Sequence, residues 1–205
     1  MYEVKQMHKA YKFRMYPTEQ QMNMFFRTFG CVRLVYNHYL NMQTKTYEES
    51  GRALSYTKCA EDLVSLKKEK TFLKEVDSIA LQQALRHLDT AFQNFFRDQK
   101  VGYPKFKSKK QHHYSYSTVC VNNNIKLENG VLTLPKIGKI RIKQHRIIPE
   151  GYTLKSVTVS RTPTGKFFAS VLFEYEAEIQ PAEITNVIGL DFSMHDLFVS
   201  SEENA

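Results

Sequence analysis

The stretch HKAYKFRMYPTEQQ, residues 8–21, decides how the chain begins. Tyr11, Phe13 and Met15 alternate with Lys12 and Arg14, so one face is apolar and the other basic, the period of a half-buried strand. Pro17 ends that pattern. Thr18 followed three residues later by Gln21 is a capping-box signal, and Met22, Phe25, Phe26 and Phe29 then recur at helical spacing. A strand therefore hands over directly to an amphipathic helix.

Working outward, the spacing predicts that Gly30 interrupts this helix. Val32, Val35, Tyr36, Tyr39 and Met42 then carry the stripe on, a layout compatible with a helix-turn-helix. Arg33 and Asn37, one turn apart off the apolar stripe, are candidates for contact with a partner. A polar stretch at 48–55 precedes a short Lys-rich helix at 56–68. Ser78 is expected to cap a long helix through Leu81, Ala84, Leu85, Leu88, Ala91, Phe92, Phe95 and Phe96.

From Tyr114 the period changes from 3.6 to 2. Asn129-Gly130 between alternating runs predicts a hairpin through a type I′ turn, whose two central positions need positive φ. Strands are expected at 139–143, at 153–161, and from Lys166 after the turn at 162–166. The acidic segment 176–186, with Pro181, looks like a linker. The final block, VIGLDFSMHDLFVSS from Val187, starts a new unit with Asp191 inside an apolar strand. The fold class is α+β, with helices inserted between a first strand and an antiparallel set.

Of 205 residues, 42% are hydrophobic and 13% aromatic, enough for a packed core and against wholesale disorder. No apolar run reaches the ~18 residues of a membrane span, and the polar N-terminus has no secretory core. Cys31, Cys59 and Cys120 are odd in number and far apart, which fits a reducing cytosol rather than a disulfide scaffold. No small-molecule substrate is expected.

Charge is uneven. Net charge is +8, yet between Lys100 and Lys166 fourteen Lys and Arg residues face only Glu128 and Glu150. Such a basic segment points to a polyanion. Within it, GYPKFKSKK (102–110) interleaves Tyr103 and Phe106 with Lys105, Lys107, Lys109 and Lys110, offering stacking faces beside phosphate-neutralising ammonium groups. Lys143, His145 and Arg146 follow at a strand end, and Arg161 closes another. His112-His113 lack the partners a metal site needs. Asp191 is a candidate metal ligand, since a carboxylate in an apolar strand is costly unless paired or bound to a cation.

The blocks YKFRMYPTEQQ, FGCVRLVYNHYL, FLKEVDSIALQQALRHLDTAFQNFFRD, VGYPKFKSKK, LPKIGKIRIKQHR, SVTVSRTPTGKFFASVLFE and VIGLDFSMHDLFVSS resemble, in order, the N-terminal half of the TnpB (OrfB) family. Members are insertion-sequence-encoded RNA-guided DNA endonucleases related to type V CRISPR effectors. The resemblance implies a wedge-type antiparallel β-barrel from residues 1–17 and 101–180. A helical recognition insertion would occupy 18–100, and the first hairpin of a RuvC, RNase H-like domain would lie at 181–205.

It further implies guide RNA and DNA as partners in the bacterial cytoplasm, with no membrane role. Lys12, Arg14, Arg33, Tyr36, Asn37, Tyr103, Lys105, Phe106, Lys107, Lys109, Lys110, Lys143, His145, Arg146 and Arg161 would touch nucleic acid. Asp191 would be the first of three Mg²⁺-binding acids, catalytic in the parent enzyme. A RuvC Glu, a CxxC…CxxC zinc ribbon and a last Asp would lie beyond Ala205. On that reading the chain alone binds but does not cleave.

Overall fold

A computed structural model describes residues 3–111, 114–179, 190–191 and 199–200. The chain divides into two compact units, residues 7–175 and, separately, 1–6 with 176–205.

The first strand, β1 (Glu3–Tyr16), is longer than its alternation suggests. Its apolar positions Tyr11, Phe13 and Met15 are buried, and the basic positions between them face outward. Helix α1 (Glu19–Ser50) begins with the anticipated capping box. The Gln21 N–H donates to Thr18 Oγ1 at 3.4 Å, and the Thr18 N–H donates to Gln21 Oε1 at 3.0 Å. The same Gln21 amide also donates to the carbonyls of Lys139 and Ile137, tying the helix start to a distant turn.

Gly30 does not break the helix. α1 runs on as 32 residues to the left-handed cap at Gly51. A glycine costs about 1 kcal/mol of helix propensity, which the buried stripe Phe25, Phe29, Val32, Val35, Tyr36, Tyr39 and Leu40 outweighs. The interruption read from the sequence is therefore corrected to one continuous helix.

Helix α2 (Tyr56–Glu69) starts on Ser55 as its cap. Helix α3 (Ser78–Arg97) starts where expected, but Asp77 rather than Ser78 is the capping residue, because the Asp77 carboxylate accepts from the Ile79 N–H at 3.0 Å. After the loop come β2 (Tyr114–Val119), β3 (Lys126–Glu128), β4 (Val131–Leu134), β5 (Gly138–Lys143), β6 (Thr153–Arg161) and β7 (Phe167–Ile179). Asn129 and Gly130 take φ of 48° and 74° between β3 and β4, the two positive values a type I′ turn requires.

These strands form one seven-stranded sheet in the order β2-β6-β7-β1-β5-β4-β3, and every pairing whose register is described is antiparallel. The three α-helices among the described residues all enter between β1 and β2. Phe25 stacks on Phe167 at 5.5 Å between ring centroids, and Phe29 meets Tyr116 at 5.8 Å, so α1 lies on the buried face of the sheet.

The fold is thus α+β, but the sheet does not close into a barrel among the described residues. Its outermost strands, β2 and β3, do not pair with each other. Helix α3 packs beside β2 instead, using Ala80 and Ala84. In the other unit, β8 (Leu190–Asp191) pairs antiparallel with β9 (Val199–Ser200), with Asp191 opposite Val199. The linker from 180 to 186, the rest of the closing block and His112-His113 lie outside the described residues.

Candidate nucleic-acid interface

The loop from Gln99 to Gln111 leaves α3 through a short 3-10 turn and reaches β2, and two tethers hold it. Tyr103 packs edge-on against Phe92 and Phe95 at 5.5 and 5.4 Å, and its hydroxyl meets that of Thr44 at 3.0 Å. Asn37 makes the second tether. Its Nδ2 donates to the Lys107 carbonyl at 2.9 Å and its Oδ1 accepts from the Lys107 N–H at 2.8 Å.

One amide thus satisfies both main-chain groups of a loop residue that no secondary structure would satisfy. Lys107 Nζ then sits 3.9 Å from the centroid of the buried Tyr36 ring, a close cation–π contact. Partial desolvation against that ring pushes the Lys107 ammonium below the usual lysine range although the residue remains exposed, and burial raises the Tyr36 phenol above its usual value.

Held this way, the loop turns Lys105, Phe106, Lys109 and Lys110 outward, with Phe106 56% exposed. Of the residues singled out from sequence, Arg33, Tyr36, Asn37 and Lys107 come together with this loop. Asn37 and Tyr36 serve it from beneath: Asn37 spends its amide on the backbone, and Tyr36 is buried under the lysine.

A second basic cluster lies on β1. Lys12 and Arg14 sit over the Phe168 ring at 5.0 and 5.4 Å, and Arg14 also lies 5.7 Å from the Tyr16 ring. One Arg14 nitrogen, Nη1, is buried without a hydrogen-bond partner. Arg14 stands opposite Lys143 in the β1–β5 ladder. His145, just beyond β5, lies edge-on to Phe13 at 5.6 Å, and Lys143, His145 and Arg146 are exposed. Arg161 stands apart from this cluster, packed over Phe26 at 5.2 Å and Tyr114 at 5.7 Å, so its flat guanidinium is already stacked.

Between α1, α3, the loop and β2 the chain leaves a cleft of about 220 Å³. Val32, Arg33, Ala80, Ala84, His87 and Lys107 line it together with serines of the loop and of β2. His87 is exposed at the edge of the cleft, yet partial desolvation of its ring holds it below the usual histidine range, and the nearby Lys107 charge pushes it the same way. Sequence reasoning passed over His87, Ser108, Ser115 and Ser117. The available signal was the run Ala80, Ala84, His87 at i, i+4 and i+7, two small residues and a polar one on the face of α3 turned to the sheet.

Asp191 is described only by its backbone pairing with Val199. Among the described residues no three His, Cys, Asp or Glu side chains gather to hold a metal ion. No helix among them is long and apolar enough to cross a membrane.

Comparison with known proteins matches residues 7–52, the span of β1 and α1, to a family model described as the helix-turn-helix domain of OrfB from IS605. A Streptomyces pristinaespiralis protein named "Putative RNA-guided DNA endonuclease" is 40% identical over 201 residues, covering 97% of this chain and 49% of that protein. InsQ of Escherichia coli (strain K12), of the same description, is 32% identical over 199 residues, 95% of this chain and 47% of its own. Virulence protein VsdF of Salmonella dublin is 37% identical over 111 residues, 49% of this chain and 93% of its own. The chain spans about half the length of the two relatives that match it nearly throughout. With a matching OrfB model at its start and two relatives aligned from end to end of it, the chain belongs to the TnpB (OrfB) family of insertion-sequence proteins.

Proposed function

We propose that this chain is the nucleic-acid-binding portion of an RNA-guided DNA endonuclease, holding a guide RNA and the DNA that pairs with it in the bacterial cytoplasm. The observation that carries this reading is the tethered loop, whose four outward residues Lys105, Phe106, Lys109 and Lys110 combine charge with a stacking ring. A polyanion with accessible bases is the ligand such a surface fits. Lys12, Arg14 and Lys143 add a second basic area on the sheet, with His145 and Arg146 just beyond the end of β5. In this reading residues 1–17 and 101–180 form the wedge, 18–100 the recognition insertion, and 181–205 the opening of a RuvC-like domain.

Asp191 is proposed as the first acid of a Mg²⁺ site. The ion would supply Lewis-acid stabilisation and activate water at a phosphodiester. One carboxylate cannot clamp both the attacking and the leaving oxygen, so further acids would have to join Asp191 to complete such a site.

The test is binding of the relatives' type of guide RNA to the purified chain across a salt series. Lys105→Ala, Lys109→Ala and Lys110→Ala together should weaken binding and lower the magnitude of the log–log salt slope by about 2 to 3, near 0.7–0.9 per phosphate contact. Salt-insensitive binding, or binding indifferent to those lysines, overturns the reading. Sequence-specific binding of duplex DNA without RNA would favour a helix-turn-helix transposase instead. Guide-programmed, Mg²⁺-dependent cleavage by this chain would refute the expectation that it only binds.

A further inference from the structure

The cleft beneath the loop differs chemically from the loop's outer face. Arg33, His87 and Lys107 line it, and no carboxylate does. Arg33 has no hydrogen bond or ion pair within the described residues, and the ammonium of Lys107 has only the face of Tyr36.

The wall opposite Arg33 is the outermost strand of the sheet. The Cys120 N–H donates to the Lys155 carbonyl at 2.7 Å, in register with the ladder that pairs Thr118 with Val157 and Tyr116 with Val159. Hydrogen-bonded and non-bonded pairs alternate along an antiparallel ladder. Tyr116 and Thr118 therefore spend their peptide groups on β6, while those of Ser115 and Ser117 point off the open edge. Both serines line the cleft. The methyl side chains of Ala80 and Ala84 keep α3 from filling it. The resulting space of about 220 Å³ has the volume of roughly seven waters at ~30 Å³ each.

A guanidinium and a partly desolvated ammonium converging without an acid, beside a strand edge whose free N–H groups alternate with free carbonyls, describe an anion site. We propose that this cleft binds one phosphate group of a nucleic-acid strand, held by Arg33 and Lys107 with His87 at its mouth and the edge of β2 as its floor. The source of the phosphate rests on the nucleic-acid reading above; the site itself rests on the cleft. Asn37 is then a positioning residue, because its grip on the Lys107 backbone sets where that ammonium can reach. The depressed basicity of His87 and Lys107 agrees with this, since an arriving anion would relieve both.

The experiment is an NMR titration of the His87 ring in the full 205-residue chain, with three probes at matched ionic strength. These are an RNA dinucleotide carrying one phosphodiester, inorganic phosphate, and chloride. The dinucleotide should move the His87 signal saturably and raise its titration midpoint; Lys107 and Arg33 are the charged groups that line the cleft with the ring, and no carboxylate lines it to imitate the effect. Arg33→Ala should weaken the dinucleotide by about tenfold or more, the scale of one charge-assisted pair. His87→Gln, read through the Ser115 and Ser117 amide signals, provides a second variant that needs no change to the core.

Inorganic phosphate as effective as the dinucleotide would keep the site and assign it to free phosphate. No response to either beyond that to chloride overturns the proposal, even if longer RNA still binds through the loop. A dinucleotide response in a protein that binds no longer RNA would keep the cleft and remove the function proposed above.

Discussion

Asp77 and Thr118 join the helical layer to the sheet through a single carboxylate. Oδ1 of Asp77 accepts from the Ile79 N–H at the start of α3, and Oδ2 accepts from the Thr118 hydroxyl on β2 at 2.5 Å. Both residues are buried, Thr118 completely.

Asp77→Ala therefore removes a helix cap and strands a buried hydroxyl at once. The two losses together should cost about 2–4 kcal/mol. Thr118→Val alone should cost less, and the double variant less than the sum, because both changes act on one hydrogen bond. Urea midpoints of the three variants check this; strict additivity would mean the bond carries no coupling.

Gly30→Ala should stabilise the protein. A methyl built on Gly30 meets nothing within 4 Å, and the residue sits inside a continuous helix with ordinary φ. The gain should be about 0.5–1 kcal/mol from helix propensity and a less flexible unfolded chain. A fall in the thermal midpoint would show that the helix is not continuous there.

Asn37→Ala should free the loop without unfolding the core. Its amide is the bracket on Lys107, and Lys105, Lys109 and Lys110 beside it are exposed. Trypsin should cut within 105–110 several-fold faster than in the parent, while the thermal midpoint moves little. Asn37→Asp should not restore protection, because a carboxylate cannot donate to the Lys107 carbonyl.

Acid should weaken the pairing around Glu174. The Lys155 ammonium donates to it at 2.8 Å and His8 lies 3.3 Å away, and the bond from Lys155 is the main reason its carboxyl is held below the usual range. A depressed acid contributes stability that is present above its unfolded pKa, about 4.3, and is lost as pH falls through its folded value. Urea midpoints between pH 6 and pH 3 should decline less steeply in Glu174→Gln than in the parent. An unchanged acid limb would remove this pair from the account.

What could be read in advance was whatever depends on neighbours in sequence. The Asn129-Gly130 turn, the Thr18–Gln21 box and the strand at 153–161 each rest on a local requirement, positive φ, a reachable donor or a period of two. Gly30 was misjudged because a glycine states only a propensity, and the apolar stripe on both sides of it decides the outcome. That the Asn37 amide also reaches a backbone group 70 residues along the chain is not a local property and left no mark in the sequence. Of the cleft only the α3 side, Ala80, Ala84 and His87, left a trace in the sequence, since nothing local in Ser115 or Ser117 says that β2 ends the sheet.

The continuity of α1 has a mechanical consequence. Thirty-two residues at ~1.5 Å each make a strut of about 48 Å, the span of about fourteen duplex steps at ~3.4 Å. Its first turn is bonded to the β4–β5 turn through Gln21, and its middle holds the basic loop through Asn37 and Thr44. The loop and the β4–β5 turn are thus bonded to one unbroken helix, with no joint between the two attachments.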